Sequence, residues 1–200
     1  MKRIGTLLVV LVLFFTLFPK STNAQEHTKD QLLEAIEGII EWKKYTTNGD
    51  TAPYLLTNEY LQYAGDTVAD WYPIGLGRIG YADDFEAYLS VITDVVQKRY
   101  QTEHKLSELK STEWHRISLA ILASGGDPTN VNGINLIADG TDNRGFTTCI
   151  CTQGVNGWIW GLITLDSMRY KIPAEAFYQR EDMIKEILSL QVVDGGFSFY

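Results

Sequence analysis

Three tryptophans, Trp71, Trp114 and Trp158, stand 43 and 44 residues apart. Each sits near the start of a similar stretch: ADWYPIGLGRIG (69–80), TEWHRISLAILASGG (112–126) and NGWIWGLITLDSMRY (156–170). In each, the tryptophan leads into a run of small and aliphatic residues. A constant period of this length is the mark of stacked helix pairs. Such units bury their apolar faces only against their neighbours, so the spacing predicts an all-α, quasi-repetitive chain. Two intervals are a short series, and the residues shared around each tryptophan give them weight.

Hydrophobic periodicity fills in the helices. Thr28 and Gln31 form a capping-box pattern ahead of Leu32, Leu33, Ile36, Ile39 and Ile40, which repeat at helical spacing to about Lys44. After a loop around Pro53, helices are expected over Val68–Ile79, ended by Gly80, and over Asp83–Tyr100. Ser111 or Thr112 opens the next, which Gly125-Gly126-Asp127-Pro128 stops. A short helix is expected around Val131–Ala138, a longer one over Asn156–Met168, and a last one from Pro173 to Gln191. No segment reads as a strand.

The first 24 residues stand apart. Lys2 and Arg3 precede an apolar run from Ile4 to Phe18, and Thr22-Asn23-Ala24 supplies small residues before Gln25. That is the pattern of a secretory signal peptide cleaved before Gln25; the run is short for a membrane span. Cleavage leaves 14 basic against 25 acidic residues in 25–200, a net charge of −11. So acidic a protein is a poor partner for nucleic acid or anionic lipid, which both require cationic contacts. The expectation is a secreted or cell-surface protein with no stable membrane insertion after cleavage. Cys149 and Cys151 are the only cysteines. Directly bonded they would close a very tight ring. They read as two small, partly buried residues, with a C-x-C redox or metal pair as the alternative.

The stretch LSLQVVDGGF (188–197) ends a helix with a glutamine, a Gly-rich turn and an aromatic residue. Together with DWYPIGLGRIG, HRISLAILASGGDPTN, INLIADGT and GVNGWIWGLITLDSMRYKIP, it resembles the repeat of the protein prenyltransferase and squalene-cyclase superfamily. It is most similar to secreted bacterial prenyltransferase-like and terpene-cyclase-like proteins. The resemblance covers roughly residues 60–200. It implies that residues 25–200 form part of an α/α toroid, with Gln191, Asp194, Gly195, Gly196 and Phe197 stapling neighbouring repeats. It also implies further helix pairs beyond Tyr200. Without them the array is expected to be aggregation-prone or only partly cooperative.

The resemblance brings no catalytic motif with it. The cyclases' Asp-x-Asp-Asp is absent; Asp83 and Asp84 read as helix-start carboxylates, and Asp139 and Asp142 lack the tight spacing. The transferases' zinc site joins an Asp, a Cys and a His. Of the histidines here, His27 is near the mature start, His104 is in a charged loop, and His115 either faces a cavity or packs. Asp139, Asp142 and Asn143 offer oxygen donors for calcium, but the loop lacks the alternation and distal Glu of an EF-hand, and plain turn chemistry accounts for it. No metal or cofactor is expected. The remaining candidates are aromatic. Trp71, Trp114, His115, Trp158 and Trp160 either line a ligand cavity or wedge helices apart, and Trp158 and Trp160 point to different faces. Three functions stay open. One is a ligand-binding or cell-surface module for a small apolar or carbohydrate-like ligand. Another is an exported cyclase or transferase whose catalytic residues lie in later repeats. The third is a scaffold for fused surface domains.

Overall fold

The computed structural model describes residues 27–49, 52–142 and 149–199. The expected signal peptide and Asn143 lie outside them. The described residues are mostly helical and contain no strand. They hold only two isolated bridges, Val131 with Ile134 and Gln191 with Phe197. Helix α1 spans Lys29–Asn48, α2 Trp71–Ile79, α3 Phe85–Glu103, α4 Thr112–Ala123, α5 Leu136–Thr141, α6 Gly154–Ser167 and α7 Arg180–Ser189. Short 3-10 turns cover Asn58–Tyr63 and Ile150–Gln153. No described helix is long and apolar enough to cross a membrane.

Residues up to Ile39 and residues from Ile40 onward form separate units. In the first, the capping box closes as its residues dictate. The Thr28 N–H donates to Gln31 Oε1 and the Gln31 N–H to Thr28 Oγ1. In the second, α1 continues one turn past Lys44. Asn48 there donates to the carbonyls of Tyr54 and Leu55 and accepts from the Tyr60 N–H. One amide side chain thus holds the loop around Pro53 against the helix end.

The centre of this unit is α4, which packs against α2, α5 and α6. Glu113 to Ser118, Ala120 and Ile121 are all buried. A helix buried all round has no solvent for its polar groups, so each must find a protein partner or remain unsatisfied. The backbones come close where glycine allows it. A Cβ at Gly77 of α2 would lie 2.0 Å from the Ala123 carbonyl oxygen at the end of α4. One at Gly157 of α6 would lie 1.9 Å from the Ile150 carbonyl oxygen.

The 43–44-residue period has a physical counterpart. Near the starts of α2, α4 and α6 a hydrogen bond reaches a residue some 41 to 46 positions downstream. Asp70, the residue before α2, accepts from Arg116 of α4. The Thr112 N–H that opens α4 donates to Gln153 Oε1. The Val155 N–H in the first turn of α6 donates to the Phe199 carbonyl. The segment carrying Phe199 is a tight hairpin: Val192 donates to Gly196 O, Gly195 to Val192 O, and the Gly196 N–H to Asp194 Oδ1. Gly195 has φ +87°, which explains a glycine there.

Several sequence expectations shift. Pro173 does not open the last helix; α7 starts at Arg180. The reciprocal bonds of Gln179 and Asp182 cap it there, and Gln179 Nε2 also binds the Pro173 carbonyl. The short helix expected at 131–138 forms instead over Leu136–Thr141, with Asn135 capping the Ala138 N–H. Gly140 and Thr141 are therefore helical rather than turn residues. Asp83 and Asp84 divide their work. Asp84 caps α3 at the Ala87 N–H, whereas Asp83 reaches back to the N–H groups of Leu55 and Leu56.

Candidate functional site

Trp71, the first residue of α2, and Trp160, in the middle of α6, meet with ring centroids 5.1 Å apart and planes tilted by 51°. Trp71 is 41 % exposed. The pair divides a groove into two arms. On one side lies a cavity of about 740 Å³, whose apolar wall is built by Ile74, Leu119, Leu122, Ala123, Ile163 and Met168. On the other lies a cavity of about 230 Å³, lined by Thr67, Lys110, Thr112, Glu113, Arg116, Gln153 and Asn156. Both arms are bounded by the two tryptophans.

A buried charge network forms the floor of the polar arm. Arg116 Nε donates to Asp70 Oδ2 at 3.0 Å. Its Nη1 donates to Glu113 Oε1 and Thr67 Oγ1, and its Nη2 to Glu113 Oε2 and the Gly65 carbonyl. All five guanidinium N–H groups are therefore committed. Asp70, fully buried, also accepts from the Gly65 N–H and the Tyr88 hydroxyl at 2.8 Å each. Burial pushes its carboxyl up, while the Arg116 charge and these donors pull it down. Burial works against the Arg116 charge, but bonds and charge from Glu113 and Asp70 raise it above its ordinary value. Burial also raises the Tyr88 hydroxyl.

The candidate residues separate by environment. Trp71 and Trp160 line the groove. Trp114 is fully buried, and its indole N–H donates to the Tyr100 hydroxyl, which in turn donates to Asp139 Oδ2. Trp158 is buried edge-on against Tyr178, in a core with Ile137, Ile150, Leu165 and Met183. His115 is 1 % exposed, and its Nε2 lies 2.8 Å from the Gly140 carbonyl. A carbonyl can only accept, so Nε2 carries the proton and Nδ1 is bare; no described group bonds to it. Burial pushes this imidazole down to about 4. His27 is exposed, and His104 sits in a left-handed conformation at the end of α3. No group of described residues could hold a metal ion. Asp139 lies in α5 with Tyr100 as one partner.

Cys149 and Cys151 are joined in a disulfide, the pairing that the sequence made unattractive. The 3-10 turn after Cys149, marked by the Thr152 N–H bonding to the Cys149 carbonyl, curls the chain back. The two Cα atoms come within 5.2 Å, inside the usual disulfide span. The residue between them, Ile150, is 3 % exposed and packs in the Trp158 core.

Of the groove's lining, sequence reading proposed only Trp71 and Trp160 and missed the rest, Gln153 and Asn156 among them. Neither belongs to a motif; the tryptophan two positions beyond Trp158 was the available signal. The chain matches no family model, no curated protein and no solved structure.

Proposed function

We propose that this chain is an exported ligand-binding module of the prenyltransferase and terpene-cyclase-like class, built as part of an α/α toroid. Its ligand, small and apolar or carbohydrate-like, occupies the groove at Trp71 and Trp160. The observation that carries this reading is the tryptophan pair itself. A large aromatic left 41 % exposed beside an open cavity is the usual anatomy of a small-molecule site. The serial packing of α2, α4 and α6 supports the toroid, because such stacking builds a curved surface from repeated helices. The catalytic alternative has no comparable support among the described residues: Asp70, Glu113 and Arg116 at the floor of the polar arm are bound to one another.

The test is intrinsic tryptophan fluorescence of the full chain against a panel of apolar and carbohydrate compounds, repeated with Trp160→Phe. The expected result is a saturable change that Trp160→Phe reduces. A spectrum that no compound perturbs sinks the reading.

A further inference from the structure

We propose that the polar arm of the groove binds a neutral saccharide, with one sugar ring lying over the exposed face of Trp71 and its hydroxyls bonded by Asn156, Gln153 and Thr112. The inference rests on the ligand-binding reading above and names the ligand class for one arm.

Asp70, Glu113, Arg116 and Arg99 underlie the polar arm as a mutually paired set, and Lys110 stands in its lining. The five donors of Arg116 are all spent on Asp70, Glu113, Thr67 and Gly65. An anionic ligand would find no guanidinium fork to hold it, and a cationic one would find both carboxylates already engaged. What is left for a ligand is neutral hydrogen-bonding capacity and the single ammonium of Lys110, which can donate to hydroxyls as well.

The arm also keeps uncommitted polar groups. Asn156 is exposed at the groove and makes no side-chain hydrogen bond among the described residues. Its amide offers two donors and an acceptor. Gln153 spends its oxygen on Ser111 and on the Thr112 N–H. That fixes the orientation of the amide and leaves its NH2 to serve as a donor toward the arm. Thr112 adds a hydroxyl that can give or accept. A fixed amide donor beside a free amide and a hydroxyl suits vicinal hydroxyls, each of which both donates and accepts.

Trp71 supplies a shelf beside these groups. A sugar ring has polar edges and at least one face of C–H groups. Placing that face on an indole removes apolar surface from water while the hydroxyls keep their bonds at the rim. Trp160 packs obliquely on Trp71 and limits its motion, so less side-chain entropy is lost on binding. An arm of about 230 Å³ accommodates about one ring, and longer saccharides would extend into solvent.

The experiment uses the full chain and named probes: cellohexaose, maltohexaose, chitohexaose and xylohexaose as neutral saccharides, hexagalacturonate as the anionic control, and dodecanoate for the apolar arm. Binding is read by calorimetry and tryptophan fluorescence. The expected result is at least one neutral saccharide with a Kd of about 1 mM or tighter. Trp71→Ala should weaken it about tenfold or more, and Asn156→Ala about three- to tenfold. Neither side chain is buried, so both variants should keep the parent circular dichroism. If Asn156→Ala alone folds, its loss of affinity still decides the matter. Dodecanoate binding without any saccharide would overturn this inference and leave the groove reading standing. Tighter binding of hexagalacturonate than of every neutral probe would overturn it too. Saccharide binding indifferent to both substitutions, or no binding by any probe, would overturn both.

Discussion

The guanidinium of Arg116 carries five N–H groups, and their partners come from α4 itself, from the turn before α2 and from a backbone carbonyl at Gly65. Removing one member of such a buried set leaves the others charged and unpaired. Arg116→Leu should therefore lower stability by about 3–5 kcal/mol, read as a fall in the urea midpoint with little change in slope. A loss of under about 1 kcal/mol would mean that water reaches the network. His115 makes a different prediction. Its imidazole sits near 4 in the folded protein, against about 6.5 in an unfolded chain. The folded state thus resists protonation. The contribution is fully present above about pH 6.5 and is lost as pH falls toward and below 4, by about 3 kcal/mol at its limit. His115→Gln can still donate to the Gly140 carbonyl and does not titrate. Its stability should fall less between pH 7 and pH 4.5 than that of the parent. Equal slopes would show that His115 binds its proton equally well folded and unfolded, against the burial described above. Neither role is visible in a sequence. TEWHRIS gives Glu113 and Arg116 helical proximity, but that Asp70 lies opposite them is a tertiary fact. The same holds for Trp160, whose partner Trp71 is nearly ninety residues away.

At the scale of a helix, glycines show how closely α2 and α4 approach. Gly75 and Gly77 are two residues apart in α2, and a plain helix propensity treats them alike. A Cβ at Gly75 meets nothing within 4 Å, whereas one at Gly77 runs into the Ala123 carbonyl. Gly75→Ala should stabilise by about 0.5–1 kcal/mol, through propensity alone. Gly77→Ala should destabilise by about 2–3 kcal/mol or more, because a backbone carbonyl must move. Thermal melts of the two variants decide it, and matching shifts would contradict the close packing. Helix existence was largely legible in the periodic apolar residues, and so were sharp stops such as Gly80, whose φ is +70°. The start of α7 was not. Pro173 is a favourable first-turn residue, but Gln179 and Asp182 make a better cap six positions later, and capping reads poorly when the pair is Gln and Asp. The disulfide was missed for a related reason. Separation in sequence says nothing of a 3-10 turn that folds the two Cα atoms to 5.2 Å.

For the molecule as a whole, the repeat was legible as a period and not as a mechanism. The three tryptophans mark equivalent places in the chain but not equivalent environments. Trp114 and Trp158 are buried and Trp71 is at the groove. Acrylamide should accordingly quench Trp42, 61 % exposed, and Trp71, while Trp114 and Trp158 remain protected. Quenching that reaches the full emission at low acrylamide would refute the packing. The export proposed above makes its own prediction: N-terminal sequencing of the mature protein should begin at Gln25. Retention of Met1 would count against export by cleavage.

The borrowed helix entrances impose an order of assembly. The first turn of α4 is finished by Gln153, which lies 41 residues later, and that of α6 by the Phe199 carbonyl. At about 5–20 residues per second, a growing chain waits several seconds for each closing group. Each of these two helices therefore spends an interval with an open end. A pause in synthesis between either helix and its closing group would prolong that exposure.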